Sequence, residues 1–476
     1  MTVRRRGNNM DQALEFIDTN LEHAIEELIE FVRIPSISAG ANTDGSAEIE
    51  RAADYLVNKF TKLEFTAEKI FIGASKNPLV VARDPHFSTH KKTILFYGHY
   101  DVQGVDNPRH AWTVDPFEGE KRDGYLIARG ASDNKGPTFA HIKGAESVLR
   151  SNTDLPFNIL FVVEGEEECG SGALDAFINR GGLTEYEPFL CTVISDTSMY
   201  GPEQPSLTLG LRGISYLEVT VNGPVQDVHS GLFGGTIHNP NTVLIQSLGN
   251  LFDESGNISI PGFYDDVIAI SKEEKERYVT LNANEDQYRQ KLGVTSLKKA
   301  PGFNLLEQRW TRPTLDINYL SGGSPRTVIP AEARGALSAR LVPGQDPARI
   351  EKLIKENIRR SIPSGANVTF SREHKSPAYL LDENNPLVQP TLDAIREGFK
   401  TEPVLTREGG SIPIVTSIAA CTGVPVLLIG FGQITDNWHG PNEKFSLADF
   451  HRGIRTSIAL LHQVKEYLET PAKKRP

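Results

Sequence analysis

Thr93-Ile94-Leu95-Phe96-Tyr97-Gly98-His99-Tyr100-Asp101 is an apolar run that ends in an imidazole and a carboxylate. Thr93–Gly98 is continuously apolar with no alternation, so it reads as a strand buried on both faces. Similar runs occupy Leu79–Ala82, Phe157–Val163, Phe189–Ile194 and Val424–Ile429. With helical segments between them, they predict an α/β fold: a mainly parallel sheet with helices on both faces. Four of the runs lead into groups able to bind a cation. Thr93–Gly98 meets His99 and Asp101, and Phe157–Val163 meets Glu164, Glu166, Glu167 and Glu168. Phe189–Ile194 meets Ser195 and Asp196, and Val424–Ile429 reaches His439 through a loop. Asp133 stands just ahead of a helix expected over Gly136–Arg150. In open α/β sheets ligands bind beyond the carboxyl ends of the strands, so these residues are expected on one rim.

On either side of these runs the helical period dominates. Leu14, Ile17, Leu21, Ile25, Leu28 and Val32 form one stripe, predicting a helix over Asp11–Val32 that Pro35 stops. Ile49, Ala53, Leu56 and Phe60 do the same for Ala47–Thr61. The middle of the chain differs. Leu217, Val219 and Val221 alternate with polar neighbours, as do Leu337, Ala339 and Leu341, so strands with one wet face are expected. Helices are expected over Asn239–Phe252 and Pro347–Ile362, with a charged, solvent-facing stretch over Lys272–Lys298. The predicted organisation is a catalytic α/β part over residues 1–208 and 377–476, interrupted by an inserted α+β domain over 209–376.

The chain has 476 residues and a formal net charge of −11, which disfavours nucleic acid as a partner. No apolar run approaches the ~20 residues of a membrane span. Cys169, Cys191 and Cys421 are few and widely spaced, which suits free thiols in a reducing, cytoplasmic setting. Arg4, Arg5 and Arg6 are followed by no apolar segment, so the N-terminus does not read as a signal peptide, and Met10 is a candidate natural start.

Taken singly, each candidate ligand has a bland reading: a lone His or Asp after a strand is usually a solvated turn residue, and a glutamate run is usually an exposed loop. Here Gly165 and Gly170 bracket the glutamates and Val162 and Val163 precede them, so the run begins on a buried strand end. Two histidines, several carboxylates and no cysteine suit zinc, manganese or cobalt. No GxSxG elbow is present, which argues against a serine hydrolase.

Five motifs then fall in order: Gly98-His99-Tyr100-Asp101-Val102, Gly130-Ala131-Ser132-Asp133-Asn134-Lys135-Gly136, Glu164-Gly165-Glu166-Glu167-Glu168-Cys169-Gly170-Ser171, Ser195-Asp196, and His439-Gly440-Pro441-Asn442-Glu443. Together they resemble the M20 metallopeptidases, in particular the branch of cytosolic nonspecific and carnosine dipeptidases. The resemblance implies a homodimeric dipeptidase with two divalent metal ions per subunit, zinc first, manganese or cobalt as alternatives. Asp133 would bridge the metals, with His99 and Asp196 completing one site and Glu168 and His439 the other. Asp101 would orient His99, and Glu167 would act as general base on a water shared by the metals. The Asp133–Asn134 peptide bond would be cis.

The inserted part carries Asp227-Val228-His229-Ser230-Gly231, which resembles the family's lid motif. The resemblance implies that His229 reaches the active site of a partner subunit. It also implies that Thr327, Arg340, Gly410 and Ser411, with His439, grip a dipeptide by its free C-terminal carboxylate. Asn384-Asn385-Pro386 stands where animal carnosine-type relatives have a His, and the loop Gly432–Trp438 is unlike theirs. An N-acyl-amino-acid amidohydrolase or a carboxypeptidase would share the same metal residues, and a metal-free scaffold that kept the shape is a third reading.

Overall fold

The computed structural model describes residues 9–38, 47–106, 111–281 and 283–470. The basic stretch Arg4–Arg6 lies outside them. Met10 lies inside the first helix, Asn9–Val32, which buries Leu14, Ile17, Ile25, Leu28 and Val32. The second helix spans Ala47–Lys62 and buries Ile49, Ala53, Leu56 and Phe60.

The chain forms two compact units: Met1–Leu209 with Leu381–Thr406 and Ser417–Pro476, and Gly210–Leu380 with Arg407–Thr416. The first unit is built on a large sheet whose strands run in the order Thr66–Ile70, Leu79–Arg83, Phe157–Glu164, Lys92–His99, Phe189–Ile194, Val426–Ile429, Ser206–Leu211. Its centre is parallel: Lys92–His99 pairs in parallel with Phe157–Glu164 and Phe189–Ile194, and the latter with Val426–Ile429. The flanking pairs are antiparallel. Every residue of Phe157–Glu164 is buried, as a strand covered on both faces requires.

Register decides where the site falls. His99 lies opposite Glu164, and Tyr97 opposite Ile194, so three parallel strands deliver His99, the Glu164–Glu168 segment and Ser195-Asp196 to the same edge. Helix Lys135–Arg150, buried along most of its length, packs behind them. Gly98 is where strand and helix meet: a Cβ there would lie 2.0 Å from Thr138 Oγ1, so any larger residue must displace the Thr138 side chain or the helix. A small sheet of Lys444–Ser446, Tyr125–Ile127 and Glu120–Arg122 joins the His439 segment to the Asp133 segment.

The second unit is α+β. Its antiparallel sheet has the order Thr314–Ser321, Glu332–Leu341, Gly213–Asn222, Asn367–Ser376. Gly213–Asn222 alternates strictly between buried and half-buried residues. Leu217, Val219, Val221, Leu337, Ala339 and Leu341 form its core with Val243, Leu244 and Leu248 of helix Pro240–Gly249 and Ile350, Ile354 and Ile358 of helix Pro347–Ser361. The charged stretch holds two helices, Lys272–Leu281 and Glu285–Leu292.

Candidate metal centre

Two donor groups share one residue. His99, Asp133 and Asp196 form the first, and Asp133, Glu168 and His439 the second; within each, the donor atoms lie within 4.8 Å of one another. Asp133 turns one oxygen to each side: Oδ1 is 3.1 Å from His99 Nε2, and Oδ2 is 3.0 Å from His439 Nε2. His99 Nε2 is also 3.7 Å from Asp196 Oδ1, and His439 Nε2 is 3.2 Å from Glu168 Oε2. The Asp133–Asn134 peptide bond is cis.

The surroundings hold each group in place. His99 Nδ1 lies 3.1 Å from the backbone oxygen of Asp101 and 3.4 Å from its carboxylate. The same carboxylate accepts the backbone N–H groups of Glu167 at 3.3 Å and Glu168 at 3.1 Å, and a bond from Ser38. Asp101 therefore fixes both the imidazole and the turn that presents the glutamates. Asn134 donates to Asp196 Oδ1 at 2.9 Å, and Gln103 donates to Glu168 Oε2 at 3.0 Å.

The electrostatics are those of a cation site. Burial pushes the carboxyls of Glu167, Glu168 and Asp196 up, and repulsion from Asp133 adds to it in all three. Burial also works against Asp133, but hydrogen bonds from His439 and His99 outweigh it and hold that carboxyl below the usual range. Asp133 and Glu168 raise His439 to about 10. Burial pulls His99 down, yet its bonds with Asp101, Asp133 and Asp196 take it well above the ordinary imidazole value. So much buried negative charge around two imidazoles fits divalent cations, and the oxygen and nitrogen donors suit zinc, manganese or cobalt.

Some residues that shape the centre carried no separate signal in the sequence. Glu443 is fully buried and accepts from the backbone N–H groups of Gly130, Ser132 and Asp133 at 2.9, 2.9 and 3.0 Å, and from Arg129 at 2.8 Å. Trp438 Nε1 donates to Ser132 Oγ at 2.9 Å, and Ser132 donates to Asp436 at 2.9 Å, which ties the His439 loop to the Asp133 loop. Glu443 stood at the end of a quoted motif, but nothing in its spacing announced a carboxylate folded under the loop.

The remaining candidates lie in the second unit. His229 pairs in register with Val328, and both Ser230 N–H and Ser230 Oγ donate to Thr327 O, at 3.0 and 2.8 Å, so His229 and Thr327 are neighbours. Arg340 donates to Ser411 Oγ at 2.8 Å, and Gly410 O accepts from Arg212 N at 3.1 Å.

The sequence profile of Peptidase family M20/M25/M40 matches residues 95–463. The chain belongs to this family. It is thus an M20 metallopeptidase, a hydrolase that depends on metal, as its five motifs implied. A Cys-Gly metallodipeptidase of Schizosaccharomyces pombe is 32% identical over 96% of this chain and 98% of the relative. The human Beta-Ala-His dipeptidase is 30% identical over 96% of this chain and 93% of its own length. The crystal structure of human carnosine dipeptidase 1 superposes with a TM-score of 0.83 at 30% identity, covering 96% of this chain and 99% of that one. The M20 fold, with its inserted α+β unit, is therefore shared along nearly the whole chain. No helix among the described residues is long and apolar enough to cross a membrane.

Proposed function

We propose that this M20 peptidase is a dinuclear dipeptidase that hydrolyses the peptide bond of dipeptides with a free C-terminal carboxylate. The observation that carries the reading is Asp133, whose two oxygens face two separate donor groups. His99 and Asp196 would complete one site, Glu168 and His439 the other. When bound, two divalent cations, zinc by preference, would polarise the scissile carbonyl and lower the pKa of a water towards about 7.

The chain's own residues do the rest. The Glu167 carboxylate takes a proton from the attacking water and passes it to the leaving nitrogen. Burial, with repulsion from Asp196, Glu168 and Asp133, raises the Glu167 carboxyl against the pull of His99. Asp101 keeps His99 in one orientation through its Nδ1 side. Arg340 offers a planar guanidinium to the terminal carboxylate, with Ser411 hydrogen-bonded to it and Gly410 and Thr327 in the role of further hydrogen-bonding partners. A grip on that carboxylate confines the product side to one residue, which favours dipeptides.

His229, supplied by a second copy of the chain, would donate to the developing oxyanion. Exposed Leu232, Phe233, Ile237 and Ile245 follow it closely in sequence and support the homodimer reading, in which the inserted unit serves as lid and dimerisation domain. Cys169, Cys191 and Cys421 are free thiols, which supports a cytoplasmic location.

The test is hydrolysis of a panel of dipeptides and N-acyl amino acids, with and without chelator, beside Glu167→Ala. The expected result is chelator-sensitive cleavage of dipeptides, and a Glu167→Ala protein that keeps its metals but loses turnover. Preference for N-acyl amino acids would make the enzyme an amidohydrolase, and normal turnover by Glu167→Ala would remove Glu167 as base.

A further inference from the structure

The short segment Arg407-Glu408-Gly409-Gly410-Ser411 leads to the Ser411 hydroxyl, and the second unit holds it at several points. Arg407 pairs with Glu274 of helix Lys272–Leu281: Nη2 donates to Oε2 at 2.8 Å, and Nε lies 2.7 Å from Oε1 without the alignment of a hydrogen bond. Both side chains are only 10% exposed, so this ion pair is largely out of water. The Tyr278 hydroxyl donates to the same Glu274, and the Tyr278 ring packs edge-on against Trp310 at 5.1 Å. Farther along, Arg212 donates its Nε–H to Gly409 O at 2.8 Å and its backbone N–H to Gly410 O at 3.1 Å. A Cβ on Gly409 would sit 3.2 Å from Arg212 Nη2, so guanidinium and loop are in close contact. Ser411 Oγ donates to Gly213 O at 3.1 Å and accepts from Arg340 Nη1 at 2.8 Å.

Arg212 and Arg340 are like charges close enough to depress one of them. Burial and then Arg340 and Arg309 lower Arg212 to about 10. Two guanidinium groups that face one loop with backbone and hydroxyl partners fit an anion.

We propose that Glu274 and Arg212 are positioning residues: they lock the Arg407–Ser411 loop so that Ser411 and Arg340 meet the substrate's terminal carboxylate at fixed separation. The inference rests on the reading of Arg340 and Ser411 as the carboxylate grip. It gives helix Lys272–Leu281 a task in the reaction although none of its residues touches substrate. Misplacement of a binding group by about 1 Å can cost up to about 10²-fold, so a loosened loop shows in kinetics before it shows in folding.

The experiment compares a dipeptide with its C-terminal amide in the metal-loaded, full-length enzyme, for wild type, Glu274→Gln, Arg212→Lys and Arg340→Ala, alongside melting curves and metal content. For Glu274→Gln and Arg212→Lys we expect KM for the free acid to rise about tenfold with kcat nearly unchanged, and cleavage of the amide to stay near wild type. Equal losses on acid and amide, or an unchanged KM for the acid in folded protein, overturn the proposal. If Glu274→Gln fails to fold, Tyr278→Phe, which removes one donor from the same carboxylate, makes the same comparison. Arg340→Ala separates the two claims. If it leaves the preference for the acid intact, the grip reading fails; if it erases that preference while Glu274→Gln and Arg212→Lys do not, only the positioning role fails.

Discussion

The buried Glu443 carboxylate accepts the backbone N–H of Asp133, the residue shared by both donor groups, at 3.0 Å. Two more N–H groups and Arg129 converge on the same carboxylate. The loop that presents Asp133 is thus wrapped around a carboxyl group supplied by the chain itself, which burial pushes up to about 7 against the pull of Arg129. Removing that group strands a buried guanidinium and three donors. Glu443→Ala should lose about 3–5 kcal/mol of stability, the usual cost of breaking a buried ion pair. Glu443→Gln should fold and bind metal about 10–100-fold more weakly, as loss of an outer partner does. Denaturant unfolding and metal titration check the two numbers. Wild-type metal affinity in Glu443→Gln would show that the loop keeps its shape without the charge.

His439 belongs to one donor group only. Its removal leaves His99, Asp133 and Asp196 intact. His439→Ala should therefore fall from two metal ions per chain to one, with hydrolysis lost. Elemental analysis after desalting reads the ratio, and a variant that still holds two ions would contradict the assignment of His439 as a ligand.

Acid sensitivity has a source besides the metal-type ligands themselves. Burial first, then Lys465, lowers His462 to about 4, and burial lowers His141 to about 3. Both imidazoles titrate near 6.5 in the unfolded chain. Below that pH the unfolded state binds protons that the folded state refuses, so stability falls as pH drops and the loss levels off only below the folded values. His462→Asn should flatten the dependence of the unfolding midpoint on pH by the uptake of one proton between about pH 6 and 4.5. Parallel curves for the variant and wild type would rule His462 out as a contributor.

Gly98 precedes His99 where the strand touches Thr138. Thr138 in turn donates to Asn134 Oδ1 at 2.5 Å. Gly98→Ala should force strand and helix apart at about 1–3 kcal/mol, the range for overpacking. The shift passes through Thr138 to Asn134 and so to Asp196, and the variant should bind metal more weakly as well as melt earlier. A melting point equal to that of wild type would show that the contact relaxes freely.

The buried strands were legible because burial on both faces writes an unbroken apolar run: Thr93–Gly98 and Phe189–Ile194 name themselves. The alternation of Gly213–Asn222 was equally plain. Thr314–Ser321 was not, because it lies at a sheet edge where most of its residues meet water and no period is imposed. The clustering of Arg407–Thr416 with the inserted unit was hidden as well, since it rests on hydrogen bonds from Arg212 and Arg340 and not on a pattern within the segment. At the centre, the metal-type residues stood at strand ends where polar groups are conspicuous. Glu443 and Gln103 act through the backbone folds that bring them inward, and single residues do not announce such folds.

The parallel pairing of Val426–Ile429 with Phe189–Ile194 carries a consequence for biosynthesis. His439 follows the last strand to enter the large sheet, while His99 is made more than half a chain earlier. A nascent or truncated polypeptide that stops short of that strand cannot assemble the second donor group. On the dinuclear reading, catalysis waits until that strand and the loop that follows it have been made.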